Sequence, residues 1–201
     1  MNNLFLGTAF FVTRTGQTIF KHLIPLILRV CLKYYIGSDH AGFTLKTTVK
    51  QALKGRYEFE DLGTFSDMRV DYAAIAVAVA KKVAGEKGAM GVLICGTGIG
   101  MGIVANKVPG IRAAVVYDGF TAKMARAHNN ANIICLGARN VLPQDAVLLV
   151  RTFLETGFEG HEKGGERHLK RVEQISEIEK KHFKPGLFKA LFGGKKGRAE
   201  K

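Results

Sequence analysis

The sequence has no acidic residue before Asp39, no CxxC pair among its three cysteines, and no uncharged apolar run of membrane-spanning length. Each absence excludes something. Cys31, Cys95 and Cys135 form an odd set at wide, irregular spacing. That fits neither a disulfide framework nor a cysteine metal site, and points to a reducing compartment. The apolar stretches 4–11 and 19–32 are interrupted by Arg14, Lys21, Pro25 and Arg29, so neither gives the roughly 18–20 uninterrupted residues a spanning helix needs. No charged residue precedes the first stretch and no A-x-A site follows it, which makes a secretory signal a poor fit. No transmembrane segment is expected, and the expected location is the cytoplasm.

What is present is an ordinary globular composition. The 201 residues are 47% hydrophobic and 23% charged, enough for one domain with a full core. The formal charge of +13 is concentrated at the ends. Residues 1–38 carry +4, residues 180–201 carry +7, and the long middle is left near +2. Terminal basicity of this kind favours solubility or loose polyanion attraction, so no specific nucleic-acid partner is expected. The chain therefore divides into a basic apolar N-terminal extension (1–32), a domain (33–182) and a basic C-terminal tail (183–201). An organelle presequence, an amphipathic surface segment and a non-native extension all remain open for the first part. The tail reads as solvated, with an anionic membrane or a partner as the other reading.

From residue 33 the pattern alternates. Strands are expected at 34–37, 58–62, 90–95, 112–117 and 132–136. Helices are expected at 42–53, 70–84, after the Gly-rich loop to about 107, at 119–128, 145–154 and 165–181. Residues 90–95 are fully apolar, as in a strand buried on both faces of a parallel sheet. Strands alternating with helices of this length predict an α/β fold, a Rossmann-like doubly wound parallel sheet, with ligands beyond the carboxyl ends of its strands. Those ends carry Ser38-Asp39-His40, Cys95-Gly96-Thr97-Gly98, Tyr117-Asp118 and Gly137-Ala138-Arg139.

Cys95-Gly-Thr-Gly-Ile-Gly-Met-Gly follows the buried strand and opens a helix, so its backbone N–H groups can form an anion nest. A dinucleotide fingerprint would need glycine at 101, where Met101 stands. No nucleotide or other cofactor, and no metal, is expected. Cys95 at the mouth of the nest reads in two ways. It is a small buried hydrophobe, as most free cysteines are, or a thiolate stabilised by the helix N-terminus and able to move a proton at carbon. Cys135 is assigned to the core. His128 ends a helix, as a cap or as an imidazole tuned by the helix C-terminus. His40 lies beside Asp39, a pair suited to hydroxyls or phosphate, with Asp39 alternatively a helix cap. Arg167 and Arg171 are one turn apart on a predicted helix, either a phosphate clamp or a solvated basic stripe shared with Lys163 and Lys170.

The segments Gly37-Ser-Asp-His-Ala-Gly, Val70-Asp-Tyr, Ile94-Cys-Gly-Thr-Gly-Ile-Gly-Met, Ala105-Asn-Lys-Val-Pro-Gly-Ile-Arg, Ala127-His-Asn-Asn-Ala-Asn and Leu136-Gly-Ala-Arg occur in that order. Over residues 33–181 this set resembles the type B ribose-5-phosphate isomerases and the related galactose-6-phosphate isomerase subunits. The resemblance implies an aldose–ketose isomerase with a Rossmann-like fold, a sugar-phosphate substrate, no cofactor, and a homodimer or tetramer with its site at the subunit interface. It implies Cys95 as the base moving a proton between C2 and C1. Relatives lacking that cysteine use a Glu where this chain has Met101. Thr97 and the amides of Gly96, Gly98 and Gly100 hold the enediolate oxygens in this scheme. His128, with Asp39, opens the furanose ring, and Asn129 binds the sugar. His40, Arg139, Arg167 and Arg171 clamp the phosphate. One departure is visible: Glu159-Gly-His-Glu-Lys-Gly-Gly-Glu-Arg-His is longer than the family's usual Gly-Gly-Arg-His step. Ribose 5-phosphate is the expected substrate. A six-carbon aldose phosphate and a non-catalytic phosphosugar binder are the alternatives.

Overall fold

A computed structural model describes residues 32–183. The expectations for the N-terminal extension, Cys31 included, and for the basic tail fall outside the described residues. Within them the chain alternates as β1 (Tyr34–Ser38), α1 (Phe43–Ala52), β2 (Phe59–Asp61), α2 (Tyr72–Gly85), β3 (Met90–Cys95) and α3 (Ile99–Ala105). It continues as β4 (Ala113–Val115), α4 (Gly119–Ala127), β5 (Ile133–Gly137) and α5 (Pro143–Glu155). A short 3₁₀ turn (Glu159–His161) leads into α6 (Glu166–His182).

The five strands form one all-parallel sheet in the order β2-β1-β3-β5-β4, a Rossmann-like α/β arrangement. β3 lies at its centre, paired from Gly91↔Ile133 to Cys95↔Gly137 on one side and from Tyr34↔Met90 to Ser38↔Ile94 on the other. Every residue of β1 and β5 is buried, which is why these segments are apolar without alternation. α2 and α3 pack against each other and the sheet, and α5 packs with α1 and α4. One core cluster joins Val79 and Val83 of α2, Met101 and Ala105 of α3, and Leu93, Ile133 and Cys135 of the sheet. Burial pushes the Cys135 thiol far up, which keeps it a protonated core side chain.

The far edge of the sheet is anchored by charge. Lys46 of α1 is buried, yet its Nζ donates to Asp61 Oδ1 at 2.6 Å and to the Thr64 carbonyl at 2.5 Å, while Lys50 reaches Asp61 Oδ2 at 2.7 Å. Burial alone would raise the Asp61 carboxyl, but the two lysines and the Gly63 amide together hold it below the usual carboxylate range. Desolvation lowers the Lys46 ammonium against the pull of Asp61. This satisfied network fixes the loop after β2 against α1.

The sheet order places the ligand crevice. After β1 the chain turns outward to β2, and after β3 it crosses the other way to β4. The loops that follow β1 and β3 therefore part from each other, and the gap at their carboxyl ends is where such sheets bind ligands.

Candidate active site

A cavity of about 390 Å³ fills that gap, lined by Asp39, His40 and Ala41 after β1, by Cys95, Gly96, Thr97, Ile99 and Gly100 after β3, and by Arg139 after β5, with Tyr72 alongside. The three loops are tied by backbone bonds that prolong the sheet. Asp39 N–H donates to the Ile94 carbonyl at 3.2 Å, Ala138 N–H to the Cys95 carbonyl at 2.8 Å, and Arg139 N–H to the Gly96 carbonyl at 3.0 Å. The wall is thus fixed largely by main chain. Thr97 lies so close to β5 that a β-carbon on Gly137 would fall 2.8 Å from its backbone.

Cys95 is only 5% exposed and its thiol belongs partly to the core, but it lines the cavity. Gly98 N–H donates to its Sγ at 3.2 Å. Gly98 needs φ +79° for that turn, a left-handed conformation that suits glycine, and a β-carbon there would meet the β5 backbone at 3.0 Å. The loop geometry therefore spends the Gly98 amide on the sulfur. Gly96 and Gly100 line the cavity, whereas Gly98 does not. The exposed Thr97 accepts from Ile99 N–H at 3.4 Å through its Oγ1. The Arg139 guanidinium lies against Gly96, about 3.3 Å from where a β-carbon would sit.

Asp39 is buried, and its Oδ1 accepts from Gly42 N–H at 3.0 Å, so it steadies the start of α1 while facing the cavity. Val70 N–H lies 3.3 Å from His40 Nδ1, which leaves Nε2 as the ring atom able to meet a ligand.

Besides Gly98, four of the expected residues do not line this cavity. His128, at the C-terminus of α4, sits in a second cluster. Its ring stacks on that of His168 at 4.0 Å and 10°, and its Nε2 is 3.7 Å from Glu159 Oε2. Arg167 Nε donates to His168 Nε2 at 3.3 Å. Burial first, then the charges of His128, Arg167 and Arg171, lowers the His168 imidazole below its usual range, with Glu159 opposing. Arg167 and Arg171 are both exposed on α6. The ligand atoms of His128, Glu159 and His168 lie within 4.8 Å of one another, close enough for a cation. The stacking runs the ring lone pairs side by side rather than towards one point, and Arg167 already occupies one of them. Hydrogen bonding and stacking describe the cluster better than metal ligation. Asn129 lies elsewhere, in an apolar groove of about 570 Å³ between β4, α4 and the far half of α6, walled by Ile111, Val115, Met124, Ile175 and Ile178.

Two contributors escape a reading of the sequence alone. Tyr72, the first residue of α2, faces the cavity because α2 packs on α3. A β-carbon on Gly100 would lie 2.8 Å from its ring. His168 stands just before the apolar series Leu169, Val172, Ile175 and Ile178 of α6, and a histidine in a helix otherwise rich in charge is not read as part of that series. The Val70-Asp-Tyr segment was the available signal for the first, and the Arg-His step for the second.

Comparison with known proteins brings these observations together. The Ribose/Galactose Isomerase family model matches residues 34–175. Ribose-5-P isomerase B of Listeria innocua is 41% identical over 152 residues, covering 75% of this chain and 99% of that protein. Among solved structures, ribose-5-phosphate isomerase B of Clostridium thermocellum matches with a TM-score of 0.70 at 46% identity, covering 75% of this chain and 99% of its own. The Mycoplasma genitalium enzyme, solved with bound ribulose-5-phosphate, matches with a TM-score of 0.69 at 40% identity, covering 75% and 97%.

Proposed function

This chain belongs to the ribose/galactose isomerase family, and on that premise we propose that it interconverts ribose 5-phosphate and ribulose 5-phosphate through an enediolate. One observation carries the reading: a thiol, a hydroxyl, small-residue backbone, an imidazole and a guanidinium face one cavity at the switch point of the sheet. No cofactor enters the scheme.

In the open-chain aldose, the Cys95 thiolate takes the proton from C2. The C–H electron pair becomes the C1–C2 double bond, and the carbonyl pair moves onto O1. Thr97 and the backbone of Gly96 and Gly100 supply the donors for the enediolate oxygens, and one well-aimed donor of this kind stabilises such charge by about 3–4 kcal/mol. The thiol returns its proton to C1, the carbonyl re-forms at C2, and the O2 proton passes to O1. One sulfur thus acts as base and then acid. His40 and Arg139 hold the phosphate, and that remote binding positions C1 and C2 against Sγ.

The furanose must open first, which is the role of His128 with Asp39, and Arg167 and Arg171 complete the phosphate clamp. Because these three side chains on α4 and α6 lie outside the lining of their own chain's cavity, the reading includes a homodimer in which one protomer supplies the Cys95 cavity and its partner the His128 cluster. Ile99 and Ile103, on one face of α3 beside the cavity, are 47% and 58% exposed, an apolar surface suited to such a contact. The cytoplasm is the proposed location, and the divisions at 32 and 183 remain proposed boundaries.

The test is turnover. Wild type is expected to convert ribose 5-phosphate, and Cys95→Ala to bind it with a kcat lower by at least about 10³-fold, the upper range for a lost acid–base group. Full activity in Cys95→Ala overturns the proton shuttle. Turnover of allose 6-phosphate but not ribose 5-phosphate by wild type replaces the substrate.

A further inference from the structure

Of the 17 residues of α6, the one buried side chain is a histidine. His168 is 4% exposed, has the flat of its ring against His128 and its Nε2 on Arg167, and is not among the residues given a role above. We propose that His168 is a positioning residue for both functions of this cluster, its ring fixing the plane of His128 and its Nε2 fixing the guanidinium of Arg167. The assignment rests on the isomerase reading.

Burying an imidazole is costly unless its polar atoms are engaged, so a histidine here calls for an account. An aliphatic residue would fill the space. It would give His128 no flat partner and Arg167 no acceptor. For Nε2 to accept from Arg167 the ring must be neutral with its proton on Nδ1. The surroundings favour that state: burial and the neighbouring His128, Arg167 and Arg171 disfavour a charge on His168, and Glu159 is the one opposing group. A neutral ring can remain stacked while His128 gains and loses a proton. A charged one would lose its acceptor and stand as an added cation against two arginines. Because His168 follows Arg167 directly in the first turn of α6, a shift of this one ring moves the ring-opening group and the phosphate clamp together.

Two isosteric variants separate the contacts. His168→Phe keeps a flat ring over His128 but offers no acceptor. His168→Gln keeps an acceptor near the position of Nε2 but no ring plane. Two reactions separate the functions. Conversion of ribose 5-phosphate requires ring opening. Exchange of the C1 protons of ribulose 5-phosphate with deuterated solvent requires only enolisation, because phosphorylation of O5 keeps this ketose acyclic.

His168→Phe is expected to raise KM about tenfold in both reactions, the worth of one hydrogen bond to a charged group, with kcat nearly kept. His168→Gln is expected to lower kcat about tenfold in ribose 5-phosphate conversion and to leave the exchange rate unchanged. Equal losses in both reactions for both variants, or no loss in either, would make His168 a packing residue and overturn the assignment. Thermal melting of each variant accompanies the kinetics, and if one does not fold, the other's split between KM and kcat still decides. A wild-type chain inert in both reactions overturns the isomerase reading, and the assignment with it.

Discussion

The cavity around Cys95 and the cluster around His128 are built by different means. The first is a product of the sheet: its loops are sewn together by backbone hydrogen bonds from Asp39, Ala138 and Arg139, and its sulfur is held by the Gly98 amide. The second is a product of side chains. One imidazole stacks on another, a guanidinium leans on the second ring, and a carboxylate stands across from the first. Main-chain geometry resists substitution at distant positions, whereas a stack of side chains can be undone by one change or one proton. The cavity therefore suits the step that needs the most accurate placement, proton transfer at carbon, and the cluster suits ring opening and charge neutralisation.

Removing His128 should break the comparison most sharply after Cys95 itself. His128→Asn is expected to slow ribose 5-phosphate conversion by about 10²-fold, in the range for a lost acid–base catalyst, while leaving C1 exchange of ribulose 5-phosphate near the wild-type rate. Equal loss in both would place His128 in the proton-transfer step. A smaller effect is expected at the cavity's own cation. Arg139→Ala should raise KM for both sugar phosphates about tenfold through loss of one charge-assisted contact, seen in steady-state kinetics.

The smallest effect concerns pH. The folded state holds His168 below its ordinary range, so the unfolded chain takes up a proton near pH 6.5 that the native cluster resists. Stability contributed by the neutral ring is present above that pH and is lost as the pH falls below it. The melting temperature of wild type should fall between pH 7 and about pH 5.5, and His168→Phe should flatten part of that slope. An unchanged slope would separate the cluster from the acid response.

The same contrast explains what could be read from the residues. The central strand was legible to the residue, because Met90–Cys95 is apolar throughout and has a partner on each side. β2 and β4 are shorter than the expected 58–62 and 112–117 because they are the sheet's edges, where pairing on one side alone sustains three residues each. Of the cavity, Asp39, His40, Cys95, Gly96, Thr97, Gly100 and Arg139 were legible, since strand ends in a parallel sheet converge by topology. The use of the Gly98 amide by Cys95 depends on a left-handed turn that a run of small residues permits but does not dictate. Tyr72 and His168 needed the packing of α2 on α3 and the stacking of two rings. Those are tertiary events, and neither a tyrosine at a helix start nor a histidine beside an apolar series announces them. Asn129 lines the apolar groove in the turn after α4, next to Asn130 with its φ of 46°.

The central claim is that each working site combines the cavity of one chain with the cluster of another. Mixing tests it directly: Cys95→Ala and His128→Asn, each impaired alone, are co-assembled and assayed with ribose 5-phosphate. Random pairing makes half the dimers mixed, each with one intact composite site, so about a quarter of the wild-type rate should return. A mixture no more active than its parents would contradict the account, because it would mean that Cys95 and His128 must work from the same chain.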